Sequence, residues 1–365
     1  MKQILNKAQN LFQNRIAPLF QNNISGLLNK KVIGLDIGSS MIKVASAKLQ
    51  GEQIVLQNMA LTETPPEALA EGKLENLDLL AAELKELLTA NNFEATHVVT
   101  AISGEELIIR MVEIPSMPAE ELAEAVKWEA QEQLPMSLEN VILDYEVVNR
   151  QENGAYELML VAVDRDIIDS YLELFARLDL KALAIEIEPL ALIRSIKSFY
   201  AGETLAIIDV GAATTDVSVC NQEQLLFTRT INVAGANITE EVAENQELDL
   251  AEAEEYKRTH NLFGEELGLI IRNLTTTIYR SLDYFQVKFK GYSIEKIILT
   301  GGGSKLEGFA KHLNEEFGVE VTRLEMLDHL EVEDDAVNTS TELAVINHFL
   351  GVALGLALRG VMGDD

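Results

Sequence analysis

The chain has 365 residues, 47% of them hydrophobic, a formal net charge of −30 and a single cysteine, Cys220. That length and apolar content can fill more than one core, so at least two domains are expected. The acidic body should repel nucleic acid and anionic lipid. One cysteine excludes an intrachain disulfide and fits a reducing compartment, and no stretch reaches the roughly 18 uninterrupted apolar residues of a spanning helix. His97, His260, His312, His329 and His348 are scattered without ligand spacing, which argues against a zinc site.

Residues 1–30 form an arm of different character. Together with Lys31 they carry Lys2, Lys7, Arg15 and Lys30 and no acid, and Ile4, Leu5, Ala8, Leu11, Phe12, Ile16, Leu19 and Phe20 recur at helical spacing. Pro18 should kink such a helix, and a secretory cleavage site is lacking. Two readings stay open: an interfacial helix that lets residues 1–28 touch a membrane or partner, or a helix docked on the protein's own body.

Beyond the arm, residues 31–103 read as strand, turn, strand: Lys31–Asp36, Met41–Lys48 and Gln53–Ala60. A helix over Leu77–Leu88 and a buried strand over Val98–Ile102 follow, as in a ribonuclease-H-like half. Residues 104–180 change pattern to an inserted module. It has a strand over Glu106–Ile114, a helix over Ala119–Gln133, a hairpin of Val141–Asn149 with Glu157–Asp164 around Asn153-Gly154, and a helix over Ile167–Leu178. Residues 181–203 return to the first lobe through Ala182–Ile187 and a helix over Pro189–Tyr200. Residues 204–342 make the second lobe, with helices within Ile238–Lys257, around Leu267–Leu282 and over Phe309–Phe317. Glu325–Asp335 reads as an exposed acidic loop. Residues 343–365 hold an apolar run, Leu343–Leu358, whose Gly351 and Gly355 suit close helix packing; its length favours a buried helix returning to the first lobe.

The chemistry is concentrated in a motif that occurs twice. Ile33-Gly34-Leu35-Asp36-Ile37-Gly38-Ser39-Ser40 and Ile207-Ile208-Asp209-Val210-Gly211-Ala212-Ala213-Thr214 each run from an apolar strand into Asp-x-Gly, where positive φ at Gly would turn the strand back. A glycine triplet, Gly301-Gly302-Gly303, follows Ile298-Leu299-Thr300. Two such turns face to face would clamp phosphates with backbone amides, leaving Asp36 and Asp209 to hold a hydrated Mg2+. A nucleotide between two similar lobes is therefore expected.

Pair, triplet and order together resemble the phosphate and adenosine motifs of the actin, sugar kinase and Hsp70 superfamily. Arg110-Met111-Val112-Glu113-Ile114-Pro115-Ser116-Met117-Pro118, with Trp128-Glu129, Gln133-Leu134-Pro135 and Leu143-Asp144-Tyr145, sharpens this to a resemblance to the PilM family of actin-like proteins of type IV pilus assembly. The resemblance implies an α/β, actin/Hsp70-like two-lobed ATPase fold with an FtsA-like 1C subdomain inserted. It implies ATP with Mg2+ as ligand, with contacts from Gly38, Ser39, Ser40 and Lys43, from Gly211, Ala212, Ala213 and Thr214, and from the triplet and Lys305. Glu254 and Lys257, in Ala253-Glu254-Glu255-Tyr256-Lys257, match a helical Ala-Glu-x-x-Lys signature for the ribose or base.

Glu188 is the nearest candidate to position an attacking water, and the methyl groups of Ala212 and Ala213 point to slow turnover. The implied partners are the cytoplasmic N-terminal tail of PilN, a single-pass inner-membrane protein, and other pilus assembly proteins, at the cytoplasmic face of the inner membrane. An FtsA-like filament protein, or a counterpart in a competence or type II secretion system, remains the alternative.

Overall fold

The computed structural model describes residues 31–362, apart from 52, 71, 105, 106, 135, 136, 201, 223, 264–267, 334, 335 and 337–345. The amphipathic arm, with the membrane contact expected of residues 1–28, lies outside the described residues, as does the start of the C-terminal apolar run.

The first lobe opens with β1 (Val32–Ile37), β2 (Met41–Gln50) and β3 (Gln53–Glu63), an antiparallel meander. A small hairpin of β4 (Leu69–Ala70) and β5 (Lys73–Leu74) leads into α1 (Leu77–Ala90). Asn76 caps α1 by accepting from the Leu79 amide, and Leu80, Leu84 and Leu87 share its buried face at helical spacing. The next strand, β6 (His97–Ile102), lies parallel to β1.

The chain then builds a separate three-stranded sheet from β7 (Leu107–Ile114), β8 (Val141–Arg150) and β9 (Tyr156–Asp164), in the order β7-β9-β8. Gly154 turns the β8–β9 hairpin at φ +85°, a conformation that favours glycine. Helix α2 (Ala119–Gln133) covers one face, burying Leu122 and Val126 against Val112, Leu158 and Leu160. Helix α3 (Arg165–Arg177), capped by Asp164, leads back to β10 (Lys181–Ile187), which joins the first sheet beside β6.

Helix α4 (Glu188–Ile196) crosses to the second lobe, where β11 (Thr204–Val210), β12 (Thr215–Asn221) and β13 (Gln224–Ile231) repeat the meander. After α5 (Gly235–Gln246), α6 (Leu250–Thr259) and α7 (Leu269–Lys288), β14 (Lys296–Thr300) pairs parallel with β11. Helix α8 (Phe309–Phe317) precedes β15 (Glu320–Arg323), which extends the sheet. The two large sheets share one plan, β3-β2-β1-β6-β10 and β13-β12-β11-β14-β15. Duplication of the motif in sequence is thus duplication of a fold.

Two sequence expectations need correction. Helix α4 ends at Ile196 rather than Tyr200, because the chain turns there: the Phe199 amide bonds to the Ile196 carbonyl and the Phe199 ring stacks on His329 at 4.3 Å. Glu325–Asp335 is not simply an exposed loop. Met326 is fully buried, and β16 (Glu331–Val332) pairs parallel with the outer edge of β3. Acidic side chains point outward there while the backbone completes a sheet.

The last helix, α9 (Leu350–Met362), buries every residue from Leu350 to Leu358 against the first lobe. Glu186 on β10, 6% exposed, ties three elements together through Arg194 of α4 at 2.7 Å and Arg359 of α9 at 2.6 Å. Buried charge of this kind is stable only when paired. No helix among the described residues is long and apolar enough to cross a membrane.

Candidate functional site

The two Asp-x-Gly turns form equivalent hairpins. In the first, Asp36 lies opposite Lys43 across β1 and β2, and the Gly38 amide bonds to the Met41 carbonyl at 3.1 Å. In the second, Asp209 lies opposite Asp216 across β11 and β12, and the Gly211 amide bonds to the Thr214 carbonyl at 2.9 Å. Neither glycine has positive φ, contrary to the expectation from sequence. Space is the reason for them. A Cβ on Gly38 would meet the Met41 carbonyl oxygen at 3.0 Å and Lys43 Nζ at 3.1 Å, and one on Gly211 would meet the Thr214 carbonyl oxygen at 2.9 Å.

The seventh position after each aspartate carries opposite charge in the two lobes. Lys43 Nζ pairs with Asp36 Oδ2 at 2.9 Å. Asp216 instead accepts from Thr230 Oγ1 at 2.5 Å and has no cation opposite it in the hairpin.

Behind the second hairpin, α5 and α6 are locked to it. The amides of Gly235 and Ala236 donate to the carbonyls of Gly211 at 3.1 Å and Ala212 at 2.8 Å. Lys257, 8% exposed, donates to the Gly235 carbonyl at 3.0 Å and Thr239 Oγ1 at 2.8 Å, and pairs with Glu254 at 2.5 Å. Burial would raise the Glu254 carboxyl, but Lys257, Thr239 and Arg258 outweigh it and hold it below the usual range. Lys257 thus braces the floor of the site, while Glu254 keeps an ionised edge.

The glycine turn abuts β11 so closely that side chains are excluded. A Cβ on Gly301 would lie 2.2 Å from Asp209 Oδ1, and one on Gly303 would lie 2.3 Å from Val210 Cγ1. The bareness of Gly301 and Gly303 therefore serves packing against Asp209 and Val210. Gly302 faces the Phe349 ring, which also carries Lys305 Nζ 4.8 Å from its centroid. Ser304 is fully buried, with Oγ donating to the Gly301 carbonyl, and so braces the turn from behind.

All these elements converge on one cleft of about 840 Å³ between the lobes. It is lined by Asp36, Gly38, Ser39, Ser40 and Lys43 from the first hairpin; Glu188 at the start of α4; and Asp209, Gly211, Ala212, Ala213 and Thr214 from the second hairpin. Glu254, Lys257, Gly301, Gly302, Gly303 and Lys305 complete the set read from sequence. Asp216, Glu63, Ser103, Gly235, Ala236, Thr239, Arg258, Phe349 and Val352 line it as well and were missed. Asp216 had a readable signal, since it stands seven residues after Asp209 as Lys43 stands seven after Asp36.

Carboxylates outnumber cations in the depth of this cleft. Burial, then Asp216 and Asp36, push Asp209 up to about 7 despite Lys43. Burial likewise pushes Asp216 up to about 6, against the Thr230 hydrogen bond. Glu188 is held well above the ordinary range by burial first and then by Asp36, Asp216 and Asp209. Burial pulls the Lys43 ammonium down, but Asp36, Glu188 and Asp209 leave it raised overall.

A divalent cation fits this donor set. Among the described residues no three acidic, His or Cys groups are close enough to ligate an ion together, so the cation would keep much of its water, as Mg2+ does. Asp36 and Asp209 stand on opposite walls where such an ion would sit.

A pH effect follows with a definite sign. The folded pKa of Asp209 lies above its unfolded value, so its penalty is absent below about pH 4, grows with pH and is complete above about 7. Asp209→Asn is expected to stabilise the nucleotide-free protein at pH 8 by on the order of 2 kcal/mol, with little effect at pH 4. Thermal melts of both proteins at the two pH values check this, and an equal shift at both would count against it.

A profile of the type IV pilus assembly protein PilM matches residues 34–361. A solved PilM-PilN type IV pilus biogenesis complex contains a chain 31% identical to this one, with TM-score 0.80 over 91% of this chain and 98% of that one. The ethanolamine utilization protein EutJ of Carboxydothermus hydrogenoformans has TM-score 0.48 at 16% identity, over 89% of this chain and 88% of that one. EutJ of Escherichia coli (strain K12) is 26% identical over 116 residues, and that match spans only 39% of its length. The two sheets repeat one strand order in the two lobes. The chain belongs to the PilM family of type IV pilus assembly proteins.

Proposed function

We propose that this protein is an actin-like, ATP-binding scaffold of type IV pilus assembly that holds ATP with Mg2+ in the cleft and captures the cytoplasmic N-terminal tail of PilN. The single observation that carries the nucleotide reading is the convergence of both hairpins, the α5 start and the glycine turn on one cleft. Lys43 supplies a point charge for phosphate oxygens, and the excess of carboxylates on the second lobe supplies the counterpart for a cation.

Turnover is expected to be slow. In the nucleotide-free cleft, burial and the neighbouring carboxylates Asp36, Asp216 and Asp209 disfavour the ionised form of Glu188, the form that would take a proton from water. Nucleotide then acts chiefly as a conformational ligand.

The tail reading is supported by likeness to a chain from a PilM-PilN complex across nearly its whole length. The proposed location is the groove between the first lobe and the inserted subdomain, where an extended peptide can satisfy both apolar pockets and free backbone groups. Such a partner would be met at the cytoplasmic face of the inner membrane.

The test is to titrate a synthetic PilN tail peptide into the intact protein by calorimetry. Saturable binding with one site per chain is expected, and a heat no different from dilution would remove the tail from the reading.

A further inference from the structure

The inserted subdomain touches the second lobe as well as the first. Its sheet has two apolar faces. Ile108, Val112 and Ile114 of β7 pack with Leu158 and Leu160 of β9 under α2. One residue out of phase, Leu107, Ile109 and Met111, with Met159 and Val161, join the cluster that runs through the second lobe's core. Val148 of β8, 6% exposed, belongs to that cluster together with Leu225, Leu226 and Phe227 of β13.

The seam lies where both strands are irregular. β8 slips register against β9 between Val147 and Asn149, leaving Val148 without a partner in the ladder. β13 slips against β12 so that Leu226 is skipped in the same way. A bulge bends its strand and re-aims the extra residue. Here the Val148 carbonyl accepts a hydrogen bond from the Gln224 side-chain amide at the start of β13.

Position gives this seam its meaning. The subdomain is continuous with the first lobe, since it leaves that sheet from β6 and returns to it at β10. β13 is an edge of the second lobe's sheet, separated by β12 alone from β11, which carries Asp209. A ligand that drew Asp36 and Asp209 together would turn one sheet against the other and so shift the bulge-to-bulge contact. A flexible glutamine and a few apolar side chains can exist in two arrangements, which a continuous ladder could not.

We infer that the Val148–Gln224 seam couples cleft occupancy to the inserted subdomain and so sets the affinity of the tail groove according to nucleotide state. This rests on the ATP and tail reading above. Linkage makes the coupling reciprocal: nucleotide changes tail affinity by the factor by which tail changes nucleotide affinity.

The test uses the intact protein and Gln224→Ala. Tail titrations with and without saturating ATP and Mg2+ are expected to differ about fivefold in the wild type, a change in the range of one net hydrogen bond, and to approach a ratio of one in the variant. ATP without tail should still raise the melting temperature of Gln224→Ala, so that a lost ratio is not a lost ligand. A second readout needs no tail: ATP should alter amide exchange of residues 147–149 in the wild type and leave it unaltered in Gln224→Ala.

An unchanged ratio in Gln224→Ala, or bound ATP with no exchange response at Val148, would overturn the coupling. A tail that does not bind would remove only the partner, with the exchange measurement still decisive. Failure of ATP to shift the wild-type melt would remove the nucleotide reading, and the inference with it.

Discussion

ATP with Mg2+ is expected to raise the melting temperature of the intact protein, and Asp36→Ala or Asp209→Ala to abolish most of that rise. A ligand that binds only the native state stabilises it by about 2.7 kcal/mol at 100-fold excess over the dissociation constant. The two aspartates face the same cleft from different lobes, so each removal deletes one of the two walls that would hold the hydrated cation. Asp36→Ala also frees Lys43 from its 2.9 Å ion pair, so some direct loss of stability accompanies the loss of ligand response. The measurement is therefore the shift produced by ATP within each protein. Equal shifts in wild type and both variants would refute the assignment of the site.

The second large effect is structural. Gly355→Ala should cost about 3 kcal/mol or more, because the added Cβ would lie 1.8 Å from the Ala191 carbonyl oxygen, a backbone atom of α4 that cannot turn aside. Gly351→Ala, one helical turn away, places its Cβ 2.7 Å from Leu192 Cδ1, the movable end of a side chain, and should cost well under half as much. Denaturant unfolding of the two variants gives the comparison directly. If the two losses were similar, the backbone contact between α9 and α4 would not be the cause.

Much of this architecture was legible because its signals are local. Apolar strands running into Asp-x-Gly announce hairpins, and the repeat of that motif announces a repeated lobe. Of the run read as a buried helix over Leu343–Leu358, residues 343–345 lie outside the described residues, 347–349 form a turn, and the helix begins at Leu350; from there it is buried, and its glycines pack against α4 rather than against a lipid-embedded partner.

What escaped was tertiary or chemically inverted. Asp216 stands where the first lobe has Lys43, so the repeat of the motif gives a cation no counterpart in the second lobe. The start of α5 was hidden because Ala234 caps it without a polar side chain, the Ala234 amide instead donating to Asn237 Oδ1 at 3.0 Å. Phe349 and Val352 reach the cleft only because α9 returns beneath the first sheet, and a strand as short as Glu331–Val332 has no periodicity to read. Gly38 and Gly211 of the two Asp-x-Gly turns were placed correctly for a partly wrong reason, since crowding and not backbone φ demands them.

The return of β16 and α9 to the first lobe bears on the order in which the protein can be made. As the chain leaves the ribosome, β1, β2 and β6 emerge early, yet the helix that covers Gly34 and fills the space beside Val32 and Ala191 is synthesised only after the whole second lobe. The edge of β3 is likewise left open until Glu331 and Val332 appear. The second lobe, whose five strands are contiguous from Thr204 to Arg323, can close first. The N-terminal half is therefore finished last, and during that interval its uncovered sheet is the part of the nascent chain most exposed to mispairing.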